Sequence, residues 1–336
     1  AAATAAIGAG GVGVGVSIGV AVARNFIGER IGGGQDPLKV QAYALDTGIT
    51  AGGDLTVKAT SEQTVDALVL AISVGLGAGA GLGLAASGSG VYTANRIAVD
   101  TDAFIDGSGS TVINADHVSV TAEDNSVIFA DAAAASVALS FGFVGASISI
   151  GVSLAYNSVD SDVQAYIQES VTTASLADDG IESAVLISAT SDASIKANSI
   201  AASAALGFGA VGIGIAGAGA QAENVIRGST LAHATEAQLN ATLGSVSILA
   251  DNRSDIEARI IGAAVGAGVG AAGVGAAIGV SLARNWIGHA IDEDVTANYR
   301  SGDKRLILER GKTVLIERGV RAGDVYEYLG EDIDLG

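Results

Sequence analysis

Apolar and small residues alternate strictly over long stretches of this chain. In residues 12–22 (VGVGVSIGVAV), Val and Ile occupy every second position and Gly, Ser or Ala the positions between them. In residues 68–76 (LVLAISVGL), Leu, Ile and Val alternate in the same way with Val69, Ala71, Ser73 and Gly75. Successive side chains of a β-strand point to opposite faces, so the pattern predicts strands with one branched apolar face and one small face. The small face would let a second backbone or sheet come very close.

The alternation changes phase at glycine-containing stretches. At residues 142–146 (GFVGA) the apolar positions switch from odd to even numbers, and similar glycine punctuation occurs at 207–214 (GFGAVGIG) and 268–275 (GVGAAGVG). Gly readily adopts the backbone conformations of tight turns. Each stretch is therefore predicted to be a tight turn or arc that joins two strands.

The chain repeats itself. The motif Asn-x-Ile/Val recurs with spacings of 70, 62, 67 and 61 residues, beginning at Asn25, Asn95, Asn157, Asn224 and Asn285. A second marker lies between these positions, in segments aligned on Ala59, Ala122, Ala189 and Ala250. A constant block with variable connectors is typical of stacked repeats. The predicted fold is all-β: an elongated β-solenoid or layered β-repeat of five Gly/Ala/Val-rich units over residues 1–298, followed by a short β connector module at 299–336.

Two finer expectations follow from the repeat. A unit of 61–70 residues is near three turns of a β-helix with about 20 residues per turn. The asparagine after the second strand tolerates the left-handed αL conformation. It is therefore expected to close the next corner of the solenoid.

Composition removes several function classes. The net charge of −19 argues against nucleic-acid binding, which requires Lys and Arg for the phosphates. The chain has no Cys, which excludes disulfides, thiolate metal sites and cysteine nucleophiles. It begins AAATAAIGAG and contains no Met, so we expect a processed chain or a piece of a longer one without a signal peptide of its own.

Three stretches match GxGxxG, at residues 8–13, 207–212 and 268–273. A dinucleotide site needs this turn between a strand and a helix, but strand-like alternation continues after each match. The histidines have no second ligand at metal-binding spacing, and no nucleophile elbow accompanies a triad. We therefore expect a non-enzymatic protein without a small-molecule substrate.

The connectors carry closely spaced carboxylates, and calcium prefers such hard oxygen ligands. No EF-hand or nonapeptide array is present, and solvated charge at exposed corners explains the same pattern. Calcium is thus the one candidate cofactor. Its candidate ligands are Asp100, Asp102, Asp106, Asp160, Asp162, Asp178, Asp179, Asp292 and Asp294.

The alternating blocks, the recurring phrase SIGVSLAxN and the tail GDVYEYLG (residues 323–330) resemble giant repetitive bacterial surface proteins of the filamentous-haemagglutinin-like or adhesin-like kind. The resemblance covers most of the chain. It implies an exported, elongated β-solenoid that acts in adhesion, matrix or fibres, located outside the cell or at its surface, with no catalytic residues to carry over.

A membrane role is the alternative. Residues 67–94 and 260–283 contain no charge, and both exceed the roughly 20 apolar residues of a spanning helix. Their period of two and their many glycines disfavour a helix. A pair of strands of about 10 residues instead suits a membrane-inserted β-barrel pore or anchor, although no aromatic girdle accompanies it.

The leading hypothesis is a structural segment that assembles with copies of itself, head to tail. The phrase GVSIGVAVARNFIG (15–28) returns at 146–158 and 275–288, so the two ends of the array resemble each other. Such ends favour an association that propagates. The residues expected to be buried by it are Ile18, Gly19, Val20, Asn25, Ile150, Gly151, Val152, Asn157, Ile278, Gly279, Val280 and Asn285. Gly279→Leu is expected to block the close approach.

Overall fold

The protein is built from β-strands. The computed structural model describes residues 1–28, 36–175, 183–288, 298–301, 307–315, 325–328, 330–331 and 333–334. The all-β prediction is confirmed, because the regular elements of these residues are strands in mainly parallel sheets. Within the same residues, no helix has the length and apolar character needed to cross a membrane. The chain separates into two compact units, Ala1–Asn285 and Trp286–Gly336.

The strands of the repeat region are β1 (Ala2–Ile27), β2 (Leu38–Leu45), β3 (Ile49–Thr50), β4 (Leu55–Ser61), β5 (Thr64–Ala115), β6 (Val118–Asp124), β7 (Val127–Phe141), β8 (Val144–Ala174), β9 (Ser183–Ser191), β10 (Ser194–Phe208), β11 (Val211–Arg227), β12 (Thr230–Thr235), β13 (Gln238–Ala241), β14 (Ser245–Asn252), β15 (Asp255–Val269) and β16 (Ala272–Ile287). The later strands are β17 (Tyr299–Arg300), β18 (Ile307–Leu308), β19 (Thr313–Leu315), β20 (Val325–Glu327) and β21 (Ile333–Asp334).

Each sequence repeat forms one turn of the solenoid. Thr64 pairs in parallel with Val127, which is in register with Ser194 and then with Asp255. We call these turns coils one to five; their described residues are 1–28 with 36–63, then 64–126, then 127–175 with 183–193, then 194–254, and finally 255–287. The expectation of three turns per repeat is therefore wrong. Each turn of the solenoid contains many residues, because β5 alone runs for 52 residues. One repeat is therefore needed to complete a single turn.

Part of every coil is a narrow two-layer structure, which we call the blade. Its outgoing arms are residues 2–9, 64–78, 127–141, 194–208 and 255–269, and its returning arms are residues 12–27, 82–97, 144–159, 211–226 and 272–287. Equivalent arms of successive coils pair in parallel, in the order β15-β10-β7-β5-β8-β11-β16. The predicted glycine arcs are the turns at the blade tip that join each outgoing arm to its returning arm.

The remainder of the coil, which we call the lobe, is closed by a second parallel sheet with the order β14-β9-β6-β4. One hydrophobic core lies inside the lobe and includes Ile105, Val120 and Ile187. Another lies where the blade joins the lobe and includes Ile97, Ile128 and Ile195. These isoleucines are fully buried, and stacking equivalent side chains from successive coils stabilises the solenoid.

The second unit contains five short strands among its described residues. β17 pairs in parallel with β19, and β19 pairs antiparallel with β20. β18 pairs antiparallel with β21. Gly311 has a φ of 79° at the turn that precedes β19.

Candidate functional site: coil ladders and blade faces

A ladder of asparagine side chains runs through all five coils. The Nδ2 of Asn25 donates to Asn95 Oδ1 at 2.8 Å, and Asn95 donates in the same way to Asn157 at 2.8 Å. Asn157 donates to Asn224 at 2.8 Å, and Asn224 to Asn285 at 2.9 Å. The three middle residues are buried. The ladder has a direction: Asn25 keeps an acceptor oxygen without a ladder partner, and Asn285 keeps a donor nitrogen without one.

The asparagines do not close corners. All five lie inside strands, and the positive φ angles nearby belong to glycines three or four residues later: Gly28 (73°), Gly228 (136°) and Gly288 (103°). The expectation of an αL asparagine is therefore wrong. Extended backbone sets equivalent side chains of neighbouring strands side by side, which amide-to-amide pairing requires.

The small face predicted from the alternation lies inside the blade. A Cβ atom added to Gly19, Gly151 or Gly279 would lie 2.9, 2.8 or 2.7 Å from a backbone carbonyl oxygen of the opposite arm. Serines of the two arms meet in the same layer, where Ser87 Oγ donates to Ser73 O at 2.8 Å. Gly279→Leu therefore disrupts the folded coil itself, so it is not a selective test of association.

The branched face of the same strands points outward. Ile18 is 68 % exposed, Ile150 53 % and Ile278 69 %, and Val20, Val152 and Val280 are exposed beside them. These side chains project sideways from the blade. The small residues of each predicted assembly phrase thus pack against the opposite arm of their own coil. The branched residues of the phrase stay uncovered on the outer faces of the blade.

Two neighbouring outward positions of the returning arm alternate from coil to coil between a bulky residue and glycine. Ile18 of coil one is in register with Gly88, which is in register with Ile150 and then with Gly217. The next outward position reads Val20, Gly90, Val152 and Gly219. Odd-numbered coils carry bulky ridges here, and even-numbered coils carry glycine grooves. A Cβ added to Gly217 or Gly219 would meet nothing within 4 Å, so the grooves are open.

Of the predicted calcium ligands, Asp100 and Asp162 face each other in register on neighbouring strands. Burial raises the pKa of the Asp100 carboxyl, and the charge of Asp162 raises it further, while Lys39 lowers it. Asp102 accepts a hydrogen bond from Gln41 Nε2 at 2.9 Å. Asp162 accepts one from Ser229 Oγ at 2.6 Å.

The other acidic candidates are not gathered into a recognised cluster. Asp106 is in register with Gln168, and Asp160 with Ala98. Asp178, Asp179, Asp292 and Asp294 lie outside the described residues. Among the residues that are described, no group of three or more His, Asp or Glu side chains is placed to hold a metal ion. The calcium hypothesis stays a prediction.

Sequence reasoning missed a second ladder, made of aromatic rings on the lobe. Tyr43 stacks on Phe104 with a centroid separation of 5.0 Å, Phe104 on Tyr166 at 4.9 Å, and Tyr166 on His233 at 5.1 Å. A signal was available, because the ring lies nine residues after the ladder asparagine in coils two, three and four. Coil one hides it with a nine-residue insertion between Asn25 and Tyr43.

No family model, curated protein or solved structure matches the chain. Two features of the molecule bear on its function: the directional asparagine ladder, and the uncovered outer faces of the blade.

Proposed function

We propose that the chain is a structural, non-enzymatic segment of an extracellular or cell-surface fibre or adhesin, and that it extends by adding copies of itself head to tail. The observation that supports this most is the asparagine ladder. Its two ends are chemically complementary, because Asn285 keeps an Nδ2 donor without a ladder partner and Asn25 keeps an Oδ1 acceptor without one. A copy translated along the coil axis would continue the ladder with one more hydrogen bond of the same kind.

The strand edges support the same geometry. Coil one and coil five lie at opposite ends of the described sheet, with β1 paired to β5 and β16 next to β11. Strand edges offer unpaired backbone N–H and C=O groups to another chain. A head-to-tail contact that does not close into a ring propagates as a filament.

The outermost asparagine allows a selective test. In Asn285→Asp, a carboxylate oxygen still accepts from Asn224 Nδ2, but the outward donor is lost and an acceptor faces the acceptor of the next copy. The inner ladder is therefore kept while the junction is weakened. Asn240→Asp is the matched control, because Asn240 lies outside the ladder and its Oδ1 acts only as the acceptor of a 3.5 Å hydrogen bond.

The measurement is particle length by electron microscopy together with light scattering, in about 0.15 M salt, where the Debye length is about 8 Å and repulsion between chains of charge −19 is screened. Wild type and Asn240→Asp should form end-to-end particles, and Asn285→Asp should form shorter ones. A wild type that never forms such particles at high concentration, or an Asn285→Asp chain that matches it in length, would refute the proposal.

A membrane role is the second candidate, and the exposed apolar faces of the blade are the observation that favours it. Four consecutive outward positions of the returning arm in coil one, Val14, Val16, Ile18 and Val20, are each more than half exposed. Binding of the chain to lipid vesicles is the test that separates this candidate from the fibre, and it is included in the experiment below.

A further inference from the structure

We propose that the outer face of the returning arm binds the same face of a second copy, side by side, as a two-fold pair with ridges seated in glycine grooves. This lateral contact is separate from the axial one, because it involves the outer face of the returning arm and not the strand edges of coils one and five. The occupant is identified by the shape of the face, by its charges and by its area.

Shape comes first. At the two alternating positions, fitting the Ile and Val ridges of one copy into the glycine grooves of the other requires an odd-numbered coil to face an even-numbered one. A two-fold axis parallel to the strands and between coils two and three does this, because it reverses the coil order and keeps each position along the strand. Coil one then faces coil four of the other copy, and coil two faces coil three. Ile18 enters the groove at Gly217, and Ile150 enters the groove at Gly88.

The ridges do not fill these grooves within their own chain. The nearest atom to a Cβ built on Gly88 is Ile18 Cγ1 at 3.9 Å, and for Gly90 it is Val20 Cγ2 at 3.8 Å. Glycine inside a strand weakens it and often marks a place where another backbone or a ligand approaches closely. Four glycines at two neighbouring positions of the even coils therefore indicate an approaching partner.

The rim of the face is complementary in the same arrangement. The row nearest the lobe reads Arg24, Ala94, Tyr156 and Glu223 in coils one to four. In the two-fold pair, Arg24 of each copy faces Glu223 of the other, and Tyr156 faces Ala94. Opposite charges and a large ring against a small side chain thus come together. A shift that pairs coil two with coil five would set Tyr156 against Glu223 and lose both matches.

The area is sufficient for a stable pair. Residues 12–22 span about 36 Å at about 3.3 Å per residue, and four coils span about 19 Å at about 4.8 Å per strand. The contact therefore covers about 700 Å² on each copy and about 1,400 Å² in total, within the range of specific protein interfaces. An apolar centre with a charged rim is also typical of such interfaces.

A lipid surface is the competing occupant, and the alternation disfavours it. Lipid chains are fluid and require no matching grooves, so an evenly branched face would serve a membrane better than one interrupted by glycine at every second coil. The alternation is specific to the two positions of the returning arm, because a row of the outgoing arm such as Val74, Val137, Ala204 and Val265 does not alternate between bulky residues and glycine.

The experiment fills the grooves of the full chain. Gly217→Leu with Gly219→Leu occupies the space required by Ile18 and Val20 of the other copy, while the open surroundings leave the fold undisturbed. The matched control is Ala202→Leu with Ala204→Leu, which enlarges two half-buried outward side chains on the opposite face of the same coil. Sedimentation equilibrium gives the dimer dissociation constant, and the melting temperature reports on folding. All chains carry Asn285→Asp, so that axial association is weakened equally in every variant compared.

We expect a dimer for the parent and for the alanine control, and at least tenfold weaker dimerisation for the groove variant with an unchanged or higher melting temperature. Arg24→Glu and Glu223→Arg should each weaken the dimer, and the double exchange should restore it. Strict monomers in the parent, equal dimerisation of the groove variant, or failure of the exchange to restore the dimer would overturn the proposal. The proposal would also be overturned if the parent chain bound as a monomer, and not as a dimer, to sedimenting vesicles of phosphatidylcholine and phosphatidylglycerol in equal parts. The face would then bind lipid and not a second copy.

Discussion

The close approach of the two arms predicts that glycines of one strand differ sharply in what they tolerate. Gly212 and Gly219 both lie on β11, seven residues apart and on opposite faces. Gly212 faces the inside of the blade, where an added Cβ would lie 2.5 Å from Gly207 O, 2.6 Å from Val269 N and 2.7 Å from Val269 O. Gly219 faces outward, and an added Cβ would meet nothing within 4 Å.

The same methyl group therefore has opposite expected effects at the two positions. In Gly212→Ala, three backbone atoms that are held by sheet hydrogen bonds must each move by more than about 0.5 Å, and overpacking of this kind costs about 1–3 kcal/mol. Both backbones are extended, so neither substitution is disfavoured by φ. Gly219→Ala should raise the free energy of unfolding by about 0.5–1 kcal/mol, because alanine loses less conformational freedom on folding.

The assay is urea denaturation of both variants in dilute solution, where association does not contribute, with the midpoint and the slope compared with those of the wild type. The two variants should lie on opposite sides of the wild type and differ by about 1.5–4 kcal/mol, the sum of the two effects. If Gly212→Ala is as stable as Gly219→Ala, the arms do not pack at the observed separation, and the explanation of the small face fails.

Two further predictions concern the aspartates of the lobe. The raised pKa of Asp100 means that folding disfavours its charged form, so Asp100→Asn should raise the melting temperature at neutral pH. The gain should vanish as the pH falls through the folded-state pKa, because the Asp100 carboxyl is then neutral in both the folded and the unfolded chain. Calorimetry across the pH range is the measurement, and a gain that grows in acid would contradict the expectation. If calcium binds at Asp100 and Asp162, chelation should lower the melting temperature of the wild type, and Asp100→Asn with Asp102→Asn should remove part of that loss; a chelator without effect leaves solvated charge as the explanation.

The alternation of residue types predicted the strands, the arcs at the blade tip and the equivalence of the repeats, because these depend on local periodicity. It could not predict how many circuits one repeat makes. That number depends on where a long strand bends: β5 passes from the blade into the lobe without an interruption that glycine or proline would mark. The same limit explains Asn95. Its residue type suggested a turn, but because an equivalent asparagine lies in each neighbouring coil, its side chain forms part of the ladder.

Contacts that depend on pairs of repeats were harder still to foresee. The stacking of Tyr43 on Phe104 was hidden by the insertion in coil one, which shifts the ring relative to the asparagine. The facing of Asp100 and Asp162 requires the strand register, and the sequence places them 62 residues apart. Once the asparagines are taken as the register, Asp100 and Asp162 can be paired from the sequence alone, whereas Tyr43 also requires the insertion in coil one to be recognised.

The phrase that the sequence repeats three times acquires a physical meaning from this register. The ladder asparagine occurs in all five coils, as expected for a feature that each coil needs in order to stack on the next. The phrase with Ile and Val before the asparagine occurs only in coils one, three and five, and the even coils carry glycine at the same outward positions. Stacking within the chain has a period of one coil and cannot by itself require a period of two. The lateral pair proposed above would account for a period of two, because its two-fold axis sets the odd-numbered coils of one copy against the even-numbered coils of the other.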